Sequence, residues 1–294
     1  MQLTNRYSFF QFKKNGAQNI GVSLASELYS LPVDLDIIDL ALNPKLVKSE
    51  YLTEKDKLDI NQIEFLSPII NPSKIICVGL NYDDHVQELN RQALGYPTFF
   101  SRFNHSYVPH RHNIPITNLS DKYDYEGELA IIIGKAAYKV MEQDAKNYIC
   151  GYSIFNDVTV RDYQARTSQW FLGKNFNQTG AFGPYLVPAI YLPENAIGLN
   201  LVTKVNNIIL QSANTSDMLF KPYELVSILS EVMQLEPGDV IITGTPGGVA
   251  VSRTPRTYLK NGDICQISID GLGCLENKMQ SVFSDHESKY QFNI

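Results

Sequence analysis

The sequence has no apolar run near the ~20 residues that a membrane-spanning helix needs, so no partner membrane is expected. It has no cluster of Lys or Arg. Its net charge of −6 also disfavours nucleic acid and anionic membrane surfaces, because such binding draws on clustered cations and released counterions. Of its four cysteines, Cys77, Cys150, Cys265 and Cys274, none stands in CxxC spacing, and no secretory leader precedes them. They read as small, buried, reduced thiols in a cytoplasmic protein. There is no internal repeat and no low-complexity tract, and the glycine-rich TGTPGGV lacks the GKS or GKT ending of a Walker loop. What remains is 44% apolar and 19% charged, a composition that buries a sizeable core and is not that of a disordered chain.

The character of the chain changes near Asn71-Pro72-Ser73. Before it lie a strand-like piece, NIGVSLA, and a helix-like piece, SEYLTEKDKLDINQI; after it come apolar β-branched runs. KIICVGL, ELAIIIG, CGYSIFNDV, VIITGT and DICQISI are predicted strands, and PYELVSILSEVMQ is the clearest helix, stopped by Pro237 and Gly238. The division expected is a small N-terminal α/β module, residues 1–72, ahead of a larger catalytic domain, residues 73–294.

The stretch DYEGELAIIIG carries two carboxylates into a buried run. Positions i and i+2 of a strand share a face, so Glu126 and Glu128 converge. Two such groups, partly desolvated, need a cation or a raised pKa, and a hard divalent ion satisfies both. An edge strand whose glutamates pair with lysines is the alternative. Asp157, at the end of the apolar GYSIFND, offers a third ligand. An all-carboxylate set selects Mg²⁺ or Mn²⁺ over Zn²⁺. In TGTPGGV, Gly244 lets the backbone approach a ligand and Thr245 offers a hydroxyl and an amide to a substrate carboxylate; a ligand-free tight turn is the alternative.

CVGLNYDDHVQE, DYEGELAIIIGK, GYSIFNDVTVRDYQ, WFLGKNF and LEPGDVIITGTPGGV occur in the order seen in the fumarylacetoacetate hydrolase family. The chain resembles that family over roughly residues 73 to 280, on its acylpyruvate hydrolase and 2-hydroxyhepta-2,4-diene-1,7-dioate isomerase-like branch. The resemblance implies an α+β, β-rich fold, a mixed β-roll catalytic domain, with Mg²⁺ or Mn²⁺ held by Glu126, Glu128 and Asp157. It makes His85 a base and Glu88 its orienting partner, three residues apart on one helix face. It sets Lys174 where an enolate develops and Gln164 on substrate oxygens. Where many members carry a lysine, FFSRF places Arg102, whose planar fork suits a substrate carboxylate. Asn177-Gln178 replaces a common aspartate before Thr179, and Asn206-Asn207 stands at a hairpin and still tolerates positive φ. His105, His110 and His112 suggest a rival zinc site, but with Pro109 among them and no nearby cysteine they read as a polar loop.

By the same resemblance the substrate is a small-molecule 2-oxo acid or β-diketo acid. C–C hydrolysis of an acylpyruvate-like compound through a metal-stabilised enolate is the leading reading. Oxaloacetate-type decarboxylation, muconate-type isomerisation and a biosynthetic condensation or cyclisation are the alternatives, and a catalytically inactive binding homologue is the non-enzymatic one. A homodimer follows from the family's habit. The segment from Tyr82 to about Tyr107 is expected to be a lid, mobile without ligand.

Overall fold

Strand Gly127–Ile133, GELAIII, is buried at every residue. A strand covered on both faces reads as a continuous apolar run, and this one lies inside an 11-stranded mixed sheet. The computed structural model describes residues 6–89 and 95–282. On one side Gly127–Ile133 pairs antiparallel with Ile149–Asn156, which pairs with Gly180–Pro188, and that strand joins Ser8–Lys14. On the other side it pairs with Val240–Ile242, which runs parallel to Ile75–Gly79, with Thr98–Ser101 at the edge. A 5-stranded sheet, Ile208–Asn214, Asn200–Val205, Ile264–Ile269, Gly273–Ser281 and Ile114–Ile116, forms the second layer. The fold is β-rich, with few helices and mixed sheets.

Strand alternation decides what the core receives. Leu129, Ile131 and Ile133 face a core shared with Leu201 and Ile267 of the second sheet and Leu225 of helix Pro222–Val232. Ala130 and Ile132 face a second core with Phe9, Cys77, Phe155 and Phe182. Gly127 lies under the second sheet, where a Cβ would overlap Thr203 Oγ1, so the sheets close over the strand at its mouth. Glu126 and Glu128 turn to the opposite face. Burying Leu129, Ile131, Ile132 and Ile133 contributes roughly 1.5–3 kcal/mol each.

The segment before residue 73 forms a meander, Ser8–Lys14, Ala17–Leu24 and Glu27–Ser30, joined to the large sheet through Phe9 opposite Leu186. SEYLTEKDKLDINQI is not a helix. It forms only two short 3-10 turns, Ser49–Tyr51 and Glu54–Asp56, because Lys57 bridges to Tyr29 and Leu58 N–H donates to Leu28 O at 2.8 Å. That pairing competes with helix growth. Asn206 and Asn207, at φ 50° and 67°, make the tight hairpin between Asn200–Val205 and Ile208–Asn214. Among the described residues no helix is long and apolar enough to cross a membrane.

Candidate active site

The register places Gly127 opposite Asn156, so Asp157 emerges beside Glu126. Asp157 N–H donates to Glu126 O at 2.9 Å, and Glu126 N–H donates to Asn156 Oδ1 at 3.1 Å. One carboxylate oxygen from each of Glu126, Glu128 and Asp157 lies within 4.8 Å of the others, and all three residues are buried. Among the described residues this is the only group of three or more His, Cys, Asp or Glu side chains so arranged. The cluster is cross-braced by buried cations. Lys174 Nζ donates to Glu126 Oε2 at 2.5 Å and to Asp157 Oδ2. Arg161 sets Nη2 2.7 Å from Glu126 Oε1 and donates Nε to Asp124 Oδ2 at 2.7 Å, while Arg102 Nε lies 2.6 Å from Asp157 Oδ1.

Glu128 is the exception. Gly244 N–H donates to its Oε2 at 2.5 Å, but among the described residues no side-chain cation pairs with it. Burial, together with Asp157 and Glu126, pushes its carboxyl well above the usual carboxylate range. Burial opposes the charge on Glu126 as well, but there Lys174 and Arg161 win and hold it down at about 2. Three buried cations thus face four buried carboxylates, counting Asp124, and Glu128 is the one left without a cationic side-chain partner among the described residues. An all-oxygen set one positive partner short suits a hard divalent cation.

Asp124 and Arg161 escaped sequence reasoning. Asp124 is fully buried and accepts from Ala250 N–H at 2.7 Å and Val251 N–H at 3.0 Å as well as from Arg161. The signal for it was present: Asp124, Glu126 and Glu128 continue one alternation. Arg161 carried no comparable mark, since only the pairing of Thr159 with Asp124 brings it to the cluster.

Helix Asp83–Glu88 presents the second constellation. His85 Nδ1 lies 2.7 Å from Glu88 Oε1, and Glu88 Oε2 accepts from Gly248 N–H at 2.8 Å and Ser252 Oγ at 2.7 Å. Burial works to raise the Glu88 carboxyl, but His85 and those two donors outweigh it and hold it below the ordinary range. Asp84 Oδ2 accepts from Gly247 N–H at 3.1 Å, so the glycine-rich turn is laid directly on the helix. A Cβ on Gly247 would come 2.8 Å from that oxygen, and one on Gly248, at φ +99°, would overlap Leu210 O. The 90–94 part of the expected lid lies outside the described residues.

A cavity of about 540 Å³ brings His85, Gln164, Lys174 and Thr245 together with Glu126, Glu128 and Asp157. Gln164 Oε1 accepts from Arg161 Nη1 at 3.0 Å; the Thr245 hydroxyl donates to Gly127 O at 3.1 Å and accepts from Gln211 at 2.8 Å. Gly244 gives its N–H to Glu128 and does not line the cavity. Arg102 does not line it either. Its guanidinium is buried and engaged by Asp157, Ser106 O and Val158 O, so a substrate carboxylate does not meet it there. The histidine loop is structural: His110 Nδ1 accepts from Glu276 N–H at 3.0 Å, its ring packs edge-on against Phe65, and burial pushes its pKa down to about 4. His112 faces Glu64 at 3.6 Å, and His105 is exposed.

The family described as fumarylacetoacetate (FAA) hydrolase C-terminal matches residues 74–280. Over 285 residues, 92% of this chain and 90% of the relative, the chain is 36% identical to oxaloacetate tautomerase Fahd2a, mitochondrial, of Rattus norvegicus. Its structure is similar to that of a fumarylacetoacetate hydrolase from psychrophilic Exiguobacterium antarcticum, with TM-score 0.82 and 32% identity over 94% of this chain and 100% of that one. It is also similar to a 5-carboxymethyl-2-hydroxymuconate delta-isomerase from Mycobacterium smegmatis, with TM-score 0.76 and 28% identity, again over 94% and 100%. The matched span holds all three carboxylates, the His85–Glu88 pair and Lys174, and the chain belongs to the fumarylacetoacetate hydrolase family.

Proposed function

We propose that the protein is a divalent-metal-dependent enzyme that moves a proton at carbon 3 of a small 2-oxo acid, with keto–enol tautomerisation as its simplest reaction. The observation that carries this reading is one cavity holding both a buried carboxylate triad and a histidine whose far nitrogen is fixed by a carboxylate. Glu126, Glu128 and Asp157 would hold Mg²⁺ or Mn²⁺. When bound, such an ion supplies Lewis-acid polarisation of the 2-oxo carbonyl.

The rest falls to the chain. Glu88 accepts from His85 Nδ1 and leaves Nε2 free to take a proton from carbon 3 or return it. The Lys174 ammonium, itself buried, stabilises negative charge as it develops on the substrate oxygen. Gln164 and Thr245 orient the substrate's polar groups. Similarity to an oxaloacetate tautomerase over nearly the full length of both chains supports proton transfer, as does similarity to a muconate isomerase.

C–C hydrolysis of an acylpyruvate is the second reading. The same dyad can activate water, and about 540 Å³ is far more room than a four-carbon acid fills. A homodimer, a cytoplasmic location and a division at residues 72 and 73 belong to the same proposal; every candidate site residue falls after that point.

¹H NMR of enol-oxaloacetate and of acetylpyruvate incubated with enzyme and Mg²⁺ separates the two readings. Expected is accelerated conversion of the enol to the ketone with no carbon–carbon cleavage. Appearance of pyruvate and acetate from acetylpyruvate would establish hydrolysis instead.

A further inference from the structure

Arg102 is among the most deeply buried charged side chains of the protein. It follows the edge strand Thr98–Ser101, and its guanidinium crosses to the far side of Asp157, away from the cavity. Nε lies 2.6 Å from Asp157 Oδ1; Nη1 donates to Ser106 O at 3.0 Å and Nη2 to Val158 O at 2.6 Å. Val158 is the residue next to Asp157, so the guanidinium hydrogen-bonds the backbone beside the carboxylate, while its Nε meets Asp157 Oδ1 as a close ion pair outside hydrogen-bond geometry. Asp157 Oδ2 is left to the triad side, where Lys174 reaches it.

The seat for this guanidinium depends on a second residue. A Cβ on Gly180 would overlap Arg102 Nη1, and Phe155 stacks below at 5.7 Å from the guanidinium carbon. Glycine at 180, at the start of strand Gly180–Pro188, is therefore a condition for the arginine's placement.

We infer that Arg102, seated on Gly180, is a positioning residue that fixes the rotation of Asp157 so that one oxygen is permanently presented to the divalent cation. The inference rests on the metal reading above. A lysine would keep the charge and three N–H donors, but these radiate from one nitrogen, whereas here Nε, Nη1 and Nη2 of the arginine reach Asp157, Ser106 O and Val158 O separately.

The test is calorimetric Mn²⁺ binding to wild type, Arg102→Lys and Gly180→Ala, with kcat and KM measured across Mn²⁺ concentrations. Outer partners of metal ligands typically contribute about 10- to 100-fold in affinity, and that loss is expected for both variants. Because Asp157 is still present, saturating Mn²⁺ should restore turnover with KM for the 2-oxo acid unchanged. Wild-type Mn²⁺ affinity in the variants would overturn the inference, as would a raised KM at saturating Mn²⁺ without a change in Mn²⁺ affinity, the signature of direct substrate contact. Should Arg102→Lys fail to fold, Gly180→Ala, which leaves the arginine and its charge in place, decides by the same two readouts. Failure of wild type itself to bind Mn²⁺ would instead remove the metal reading.

Discussion

Glu128→Gln should lose divalent-cation binding while the apo protein melts no lower than wild type. The two halves of that result have one cause. Glu128 is buried beside Glu126 and Asp157 and receives only the Gly244 N–H, so in the metal-free protein its charge is repelled more than it is compensated. Glutamine keeps a carbonyl oxygen for Gly244 and removes the repulsion, which is why stability should hold or rise. It also removes the one carboxylate not already engaged by a side-chain cation. Affinity for Mg²⁺ or Mn²⁺ should fall by more than the roughly 10- to 100-fold typical of an outer partner, and turnover with it. Calorimetry and a thermal melt on the same sample check both halves. A variant that binds Mg²⁺ like wild type would show that the triad is not the metal site.

His85→Ala should cost turnover about 10²- to 10⁴-fold, the range for a general base, with Mg²⁺ binding intact. His85 stands in the cavity but outside the triad, and its Nδ1 is committed to Glu88 at 2.7 Å. Glu88→Gln should fall short of that loss, since the imidazole remains while its charge partner becomes neutral. If the enzyme also decarboxylates oxaloacetate, that activity should suffer less from His85→Ala, because loss of carbon dioxide generates the enolate without a base removing a proton. Equal loss of both activities would mark His85 as a substrate-positioning group.

The parts of this site legible in the sequence were those written locally, within a strand or at its end. Glu126, Glu128 and Asp157 each sit where an apolar run begins or ends, and strand alternation fixes the facing of the two glutamates without knowledge of any other element. The His85–Glu88 contact was equally local, three residues along one helix. Long-range pairing hid the rest. Asp124 meets Arg161 only because Asp124 pairs with Thr159, and Glu88 finds Gly248 and Ser252 across a long separation in the chain. Arg102 was expected on the substrate because sequence gives the residue and not the side of Asp157 it approaches; the turn Asn104–Ser106 brings Ser106 O to the guanidinium and settles its direction. The supposed helix from residue 49 to 63 failed for the opposite reason. Its local propensity was real, but Leu58 and Lys57 were taken by pairing with Leu28 and Tyr29.

Solvent exchange at carbon 3 tests the proposed chemistry most directly, because proton transfer there precedes any later fate of the substrate. ¹H NMR in D₂O would follow loss of the carbon-3 proton signal of pyruvate, 2-oxobutyrate and acetylpyruvate with enzyme and Mg²⁺, against buffer and Mg²⁺ alone. Expected is exchange of at least one of these acids well above the control, abolished by EDTA and by Glu128→Gln. Exchange no faster than the control for every acid, or exchange that survives EDTA, would contradict a metal-dependent enolising enzyme.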